Sequence, residues 1–129
     1  MRENNRAFHL DRSFVSLGKE ICGVWTDDDD LAKNLADVSK VTGEKSWRMP
    51  LEKSYNEQLK SKIADINNCG TAYGGAITAA LFLQNFVDKK PFAHIDIAGP
   101  VWSDKMVRLD LVQRWYLNGF QDKANLNKL

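Results

Sequence analysis

The stretch HIDIAGPVWSDK, His94–Lys105, is the part of the sequence that most directly indicates the fold. Its apolar run ends at Ala98-Gly99-Pro100 and is followed at once by the polar corner Trp102-Ser103-Asp104. We predict a strand over 92–97, and because apolar and polar residues do not alternate cleanly there, we expect a sheet covered on both faces. A strongly apolar helix is predicted just before it, over 76–87, and a helix followed by a short loop and a strand is an α/β unit.

The sequence before this unit predicts two strands and two helices. Short apolar runs at Phe14–Leu17 and Ile21–Trp25 predict the strands. The first helix is expected to begin near Asp27–Asp30, where Thr26 or an early Asp can cap it, and to stop at Gly43. The second helix is predicted from an apolar stripe at i, i+4 and i+8, formed by Tyr55, Leu59 and Ile63.

The composition indicates one globular domain without a basic surface. The chain has 129 residues, is 43% hydrophobic and 27% charged, and carries a net charge of +1. This argues against nucleic-acid binding and against a polybasic membrane surface. No apolar run reaches the roughly 18 residues of a membrane helix, and the N-terminus MRENNRAFHL lacks the apolar region of a secretory signal. Cys22 and Cys69 have no metal-ligand spacing, so we expect buried, reduced thiols in a cytosolic protein.

Residues with catalytic or ligand chemistry do not form a complete site by their spacing. The run Asp27–Asp30 is interpreted as a solvated helix start rather than a cation site. His94 is expected to be a satisfied core or edge residue rather than a metal ligand. Gly74-Gly75 suits either a tight turn that needs a positive φ, which is the favoured interpretation, or an anion cradle of backbone N–H groups. Asp96 must face a polar layer or be hydrogen-bonded.

Four stretches of the chain together resemble the catalytic domain of the leucine aminopeptidase (M17) family. They are SLGKEICGVWTDDDDLA, EKSWRMPLEKSYNEQLKSKIADINN, YGGAITAALFLQNFV and FAHIDIAGPVWSDK. The resemblance implies an α/β fold, here part of a mixed sheet sandwiched between helices in an incomplete catalytic domain. It also implies removal of N-terminal residues from peptides in the cytoplasm by a hexameric enzyme. Two divalent ions, zinc with manganese or magnesium, polarise the scissile carbonyl and activate a water in such enzymes.

The chain departs from the family at its reactive centre. The family's metal ligands lie in the motifs G-K-G-x-x-[FY]-D-[ST]-G-G and N-T-D-A-E-G-R, which also carry the catalytic Lys and Arg, and neither motif occurs here. We therefore expect no catalytic residue and no metal ligand in this chain, and no metal bound by it alone. The resemblance carries over only Ala98 and Val101, which line the pocket for the side chain of the substrate's first residue.

The two ends differ from the family, and we expect only residues 15–105 to be a partial catalytic domain. Residues 106–129 are predicted to be an out-of-frame tail, because their codons, read from the third base, permit the family's continuation G-A-T-G-F-G. Residues 1–14 are predicted to lie outside the family sequence, since FHLDRS read from second bases permits T-L-T-G-A. The alternative is that both termini are genuine.

Three functions follow as alternatives. The first is a truncated piece of a peptide-hydrolysing leucine aminopeptidase that is inactive alone. The second is a non-catalytic subunit that joins a full-length aminopeptidase hexamer, and the third is a small α/β binding domain. A tail without the family's last helix would leave apolar surface exposed on the helix over 76–87, which would favour association with a partner. Neither nucleic acid nor membrane is expected as a partner.

Overall fold

A computed structural model describes residues 11–101 of the protein, and all structural statements below refer to them. Four α helices, three strands and one 3₁₀ helix follow one another along this range. In chain order they are α1 (Asp11–Leu17), β1 (Cys22–Trp25), α2 (Asp29–Thr42), β2 (Ser46–Met49), the 3₁₀ helix (Lys53–Leu59), α3 (Gly75–Gln84), β3 (His94–Asp96) and α4 (Ala98–Val101).

The three strands form a mixed sheet in the order β2-β1-β3. β1 and β2 are parallel, with Cys22 opposite Ser46, and α2 makes the crossover between them. β3 runs antiparallel to β1, with Trp25 opposite His94. All four residues of the central strand β1 are buried, so both of its faces are covered. The predicted mixed α/β architecture is therefore confirmed.

α2 begins and ends where the sequence predicts. The side chain of Asp28 caps the helix by accepting a hydrogen bond of 2.8 Å from the backbone N–H of Leu31. Gly43 ends it in the left-handed conformation at φ 75°. Leu35 is buried and packs with Cys22 and Val24 of β1, so the apolar stripe of the helix lies on the sheet.

The predicted strand Phe14–Leu17 is wrong, because these residues belong to α1. Ser13 is buried, Phe14 and Leu17 are half-buried, and Val15 is 83% exposed. This burial follows the period of a helix and not the period of two of a strand. Gly18 ends the helix at φ 76°, and its N–H donates to the carbonyl of Phe14 at 2.9 Å.

The second predicted helix is confirmed only up to Leu59, where the 3₁₀ helix ends. Leu59 is 2% exposed, but Ile63 is 99% exposed and does not belong to an apolar stripe. The chain leaves the helix at Lys60, and the Ser61 hydroxyl then accepts hydrogen bonds from the backbone N–H groups of Ile63 and Ala64. A serine that binds the backbone two or three residues ahead favours a turn over a helix.

α3 is shorter than predicted and is covered on one side only. It spans Gly75–Gln84, whereas the sequence predicts 76–87. Ala80 and Leu81 are buried, and contacts with the 3₁₀ helix cover this side. Leu83 and, just after the helix, Phe86 remain 42% and 66% exposed. Apolar side chains are thus exposed at the C-terminal end of the helix.

Candidate functional site

The corner after β3 is built around a buried carboxylate. Asp96 is 5% exposed and lies at the end of β3. Its Oδ2 accepts a short hydrogen bond from the hydroxyl of Ser13 in α1. Its Oδ1 accepts a hydrogen bond of 3.0 Å from the backbone N–H of Ala98. The expectation that Asp96 is hydrogen-bonded is confirmed, and the carboxylate joins α1, β3 and α4 at one point.

Ala98 and Val101 are the first and last residues of α4, and both are half-buried. Residues three apart in a helical turn lie on the same face, so the two side chains are neighbours. Gly99 between them is buried against the loop after α1, and a Cβ at this position would lie 2.4 Å from the carbonyl oxygen of Gly18. Only glycine permits this close approach, which fixes α4 on α1. The corner residues Trp102, Ser103 and Asp104 lie outside the described residues.

His94 at the start of β3 packs against the ring of Trp25, with ring centroids 5.6 Å apart. Burial lowers the pKa of His94, and the nearby carboxylate of Asp96 opposes this shift. A neutral, half-buried imidazole on an aromatic ring fits the predicted core or edge role of His94.

The four consecutive aspartates serve the start of α2, as the sequence predicts. Asp28 caps the helix, Asp27 pairs with Lys53 at 2.8 Å, and Asp29 pairs with Arg48 at 2.8 Å. The hydrogen bond from Lys53 is the main cause that lowers the pKa of Asp27. These carboxylates therefore tie α2 to β2 and to the 3₁₀ helix.

The two cysteines are both free thiols, but their environments differ. Cys22 is buried in β1, and its Sγ–H donates to the carbonyl oxygen of Lys45 at 3.4 Å. Burial raises the pKa of the Cys22 thiol to about 11. Cys69 is exposed in the loop before α3. The prediction of two buried thiols is correct for Cys22 and wrong for Cys69, because the loop over 60–74 projects its side chains into solvent.

Sequence reasoning missed Ser13, which completes the corner. Its partner Asp96 is 83 residues away in the chain, so no local pattern links the two. A signal existed nonetheless: a carboxylate inside an apolar strand requires a donor, and a serine hydroxyl such as that of Ser13 can supply one. The assignment of Phe14–Leu17 to a strand hid the helical face on which Ser13 lies.

Comparison with known proteins decides the family. The sequence profile described as cytosol aminopeptidase family, catalytic domain, matches residues 11–116. This chain belongs to the cytosol aminopeptidase family. The match to the cytosol aminopeptidase profile includes Ser13, Asp96 and Ala98, the three residues that form the buried hydrogen bonds of the corner.

Curated relatives carry the same family names. A protein of Picosynechococcus sp. named "Probable cytosol aminopeptidase" is 58% identical over 91 residues, which are 70% of this chain and 18% of that protein. Leucine aminopeptidase 2, chloroplastic, of Oryza sativa subsp. japonica is 58% identical over 92 residues, which are 70% of this chain and 15% of the rice protein. The chain thus spans less than a fifth of the length of these cytosol aminopeptidase relatives.

Solved structures share the fold. A mutant of tomato leucine aminopeptidase superposes with a TM-score of 0.74 at 44% identity, covering 82% of this chain and 22% of the tomato chain. The bottromycin maturation enzyme BotP in complex with Mn superposes with a TM-score of 0.67 at 40% identity, covering 71% of this chain and 20% of that chain. The mixed sheet of this cytosol aminopeptidase family member is therefore part of a catalytic-domain fold.

The part of the catalytic domain described here does not fit a metal centre. Within residues 11–101, no three His, Cys, Asp or Glu side chains come together as metal ligands would. Two of the acidic groups have other partners: Asp96 binds Ser13 and Ala98, and Asp27 binds Lys53. The divalent ions that the family implies would need ligands from outside residues 11–101. Over the same range, no helix is long and apolar enough to cross a membrane.

Proposed function

We propose that this chain forms the part of an aminopeptidase catalytic domain that shapes the pocket for the side chain of a peptide's first residue. The observation that supports the proposal is the corner at Asp96, which links α1 to α4, the helical turn that carries Ala98 and Val101 on one face. Small and β-branched side chains leave room for a leucine-like group. Membership of the family supports peptides as the substrate class.

Peptide hydrolysis by this chain alone is not part of the proposal. Neither of the family's metal motifs occurs in the sequence, and Asp96, Asp27 and Asp29 are engaged elsewhere. Bound divalent ions, which we propose to be zinc or manganese, would supply a Lewis acid for the scissile carbonyl. The ligands for these ions would come from a polypeptide that carries the missing motifs. Because several relatives are named cytosol aminopeptidase, we also propose the cytoplasm as the place of action.

A chimera tests the pocket. Residues 11–101 replace the matching segment of the Picosynechococcus relative, which then supplies the rest of the catalytic domain. Ala98→Leu should fill part of the pocket and lower kcat/KM for leucyl substrates relative to alanyl substrates by about tenfold or more. The control Val41→Leu changes a residue that is 82% exposed and should leave the ratio unchanged. An active Ala98→Leu chimera with the original leucyl-to-alanyl ratio would overturn the proposal.

A second candidate, a non-catalytic subunit of an aminopeptidase hexamer, is favoured by the apolar end of α3. Phe86 is 66% exposed and stacks edge-to-face on Phe82 at 5.1 Å, and Leu83 is 42% exposed beside them. Such a patch suits burial against another polypeptide. A tagged chain co-expressed with full-length rice leucine aminopeptidase 2 should then co-purify with it, and Phe86→Ser should reduce the yield of the complex. Equal yields for both forms would eliminate this candidate.

A further inference from the structure

A second cleft lies apart from the corner that holds Ala98 and Val101. It is an open cavity of about 520 Å³ between α1 and the first turn of α3, which we call the α3 cleft. Its walls are mainly apolar and include Val15, Trp25, Met49, Pro50 and Ile77. Neither Ala98 nor Val101 lines it. The sequence feature Gly74-Gly75, for which an anion cradle was one interpretation, forms one edge of this cleft.

The first turn of α3 presents backbone donors to the α3 cleft. Gly74 precedes the helix at φ 67°, which confirms the turn, and it has no side chain to cap the helix. The N–H groups of Gly75, Ala76 and Ile77 find no acceptor within the described part of the chain. Such groups carry the positive end of the helix dipole and bind anions readily. Since α3 has ten residues, its dipole is that of a full helix.

The residue Trp25, which carries an independent donor, lines the same cleft. Trp25 is fully buried, and its indole N–H has no hydrogen-bond acceptor among residues 11–101. Trp25 is the only residue of this range that has such an orphaned buried side-chain atom. Buried donors are almost always paired in folded proteins, with protein, water or ligand. The orphaned donor therefore points to an acceptor that comes from outside the described chain.

We propose that the α3 cleft binds a small monocarboxylate with an apolar substituent, the chemical class of an apolar amino acid or its N-acylated form. The carboxylate accepts from the N–H groups of the first turn of α3 and from Trp25 Nε1–H, while the substituent contacts Val15, Met49 and Ile77.

The charge of the site selects a monoanion. The cleft lining contains no Asp, Glu, Lys or Arg among the described residues, so an inorganic dianion would have no counter-charge. The nearest carboxylate in the hydrogen-bond network is Asp96, which the hydroxyl of the lining residue Ser13 and the N–H of Ala98 already satisfy. The apolar walls then favour an organic carboxylate over phosphate. This site does not depend on the proposed peptidase function, since it uses neither Ala98 nor Val101.

Titration of the ¹⁵N-labelled full chain with N-acetyl-leucine tests the proposal. The Trp25 indole resonance and the amides of Ala76 and Ile77 should shift together and saturate in the millimolar range. The neutral N-acetyl-leucine amide and plain acetate should each bind at least about tenfold more weakly than N-acetyl-leucine, because the first lacks the charge and the second lacks the apolar group. Equal binding of the acid and its amide, or no saturable shift, would overturn the proposal.

Two tryptophan variants sharpen the test. Trp25→Phe removes the indole donor and should weaken N-acetyl-leucine binding about tenfold. The matched control Trp47→Phe changes a ring that is 64% exposed on β2 and should leave binding unchanged. If Trp25→Phe does not fold, the ligand series on the unaltered chain still decides. A Trp25 indole resonance that does not move on titration with N-acetyl-leucine would refute the site.

Discussion

At the scale of single residues, the corner depends on one buried carboxylate with two donors. Asp96 is 5% exposed, so each hydrogen bond to it contributes more than an exposed one would. Ser13 supplies the donor from α1, and Ala98 supplies the donor from α4. The helical turn that carries Ala98 and Val101 is therefore linked to α1 through this carboxylate.

Loss of the Ser13 hydroxyl should destabilise the chain. Ser13→Ala leaves Oδ2 of Asp96 without its partner, and the free energy of unfolding in urea should fall by about 1–3 kcal/mol. Val15→Ala in the same helix changes a side chain that is 83% exposed and should cost much less. Equal losses for the two variants would show that the hydrogen bond contributes nothing specific.

The two thiols should react at different rates. Burial raises the pKa of the Cys22 thiol to about 11, so almost no thiolate is present at pH 8, whereas Cys69 is exposed. A disulfide reagent such as Ellman's reagent should modify one thiol in the native chain and two in urea. Cys69→Ser should abolish the native reaction; a persistent fast reaction in this variant would contradict the assigned burial of Cys22.

His94 should make stability depend on pH in the acidic range. Burial lowers the pKa of His94 in the folded state below its ordinary value of about 6.5. As the pH falls below that value, His94 therefore binds a proton more readily in the unfolded chain than in the folded chain. Stability contributed by the neutral imidazole is present above that pH and is lost as pH falls toward the folded-state pKa. The unfolding free energy of His94→Gln should depend less on pH between about 7 and 5, with His9→Gln measured in parallel. An unchanged pH slope in His94→Gln would contradict this prediction.

At the scale of elements, local signals predicted some segments and failed at others for identifiable reasons. α2 was predictable because its cap, apolar stripe and stop are all within the segment. α1 was not, because four residues of apolar sequence fit a strand and a helix equally well. Ile63 was wrongly assigned to the second helix, because the spacing of apolar residues does not reveal the turn that the Ser61 side chain forms. The bond between Ser13 and Asp96 depends on tertiary packing that no local pattern encodes.

The glycine before α3 should be less tolerant than the glycine after α2. Both have positive φ, 67° at Gly74 and 75° at Gly43, so alanine costs about 1–2 kcal/mol of backbone strain at each. A Cβ at Gly74 would also lie 2.4 Å from the ring of Tyr55, while a Cβ at Gly43 would meet nothing within 4 Å. Gly74→Ala should therefore lose at least about 1 kcal/mol more in urea unfolding than Gly43→Ala. Equal losses would mean that Tyr55 moves aside freely.

At the scale of the whole molecule, residues 11–101 have the mixed sheet of a cytosol aminopeptidase catalytic domain. The family resemblance, based on four motifs, predicted the mixed sheet and the family correctly, because these motifs lie in the strands and turns that the structure describes. The boundaries at residues 15 and 105, and the out-of-frame tail, stay predictions. The roles of Ala98 and Val101 stay proposals, to be tested in the chimera.

The most direct measurement is release of p-nitroaniline from leucine p-nitroanilide by the purified 129-residue chain with added manganese. We predict no turnover above the metal-only blank, because the sequence contains neither of the family motifs that carry the metal ligands and the catalytic Lys and Arg. Sustained turnover that a chelator stops and manganese restores would contradict it.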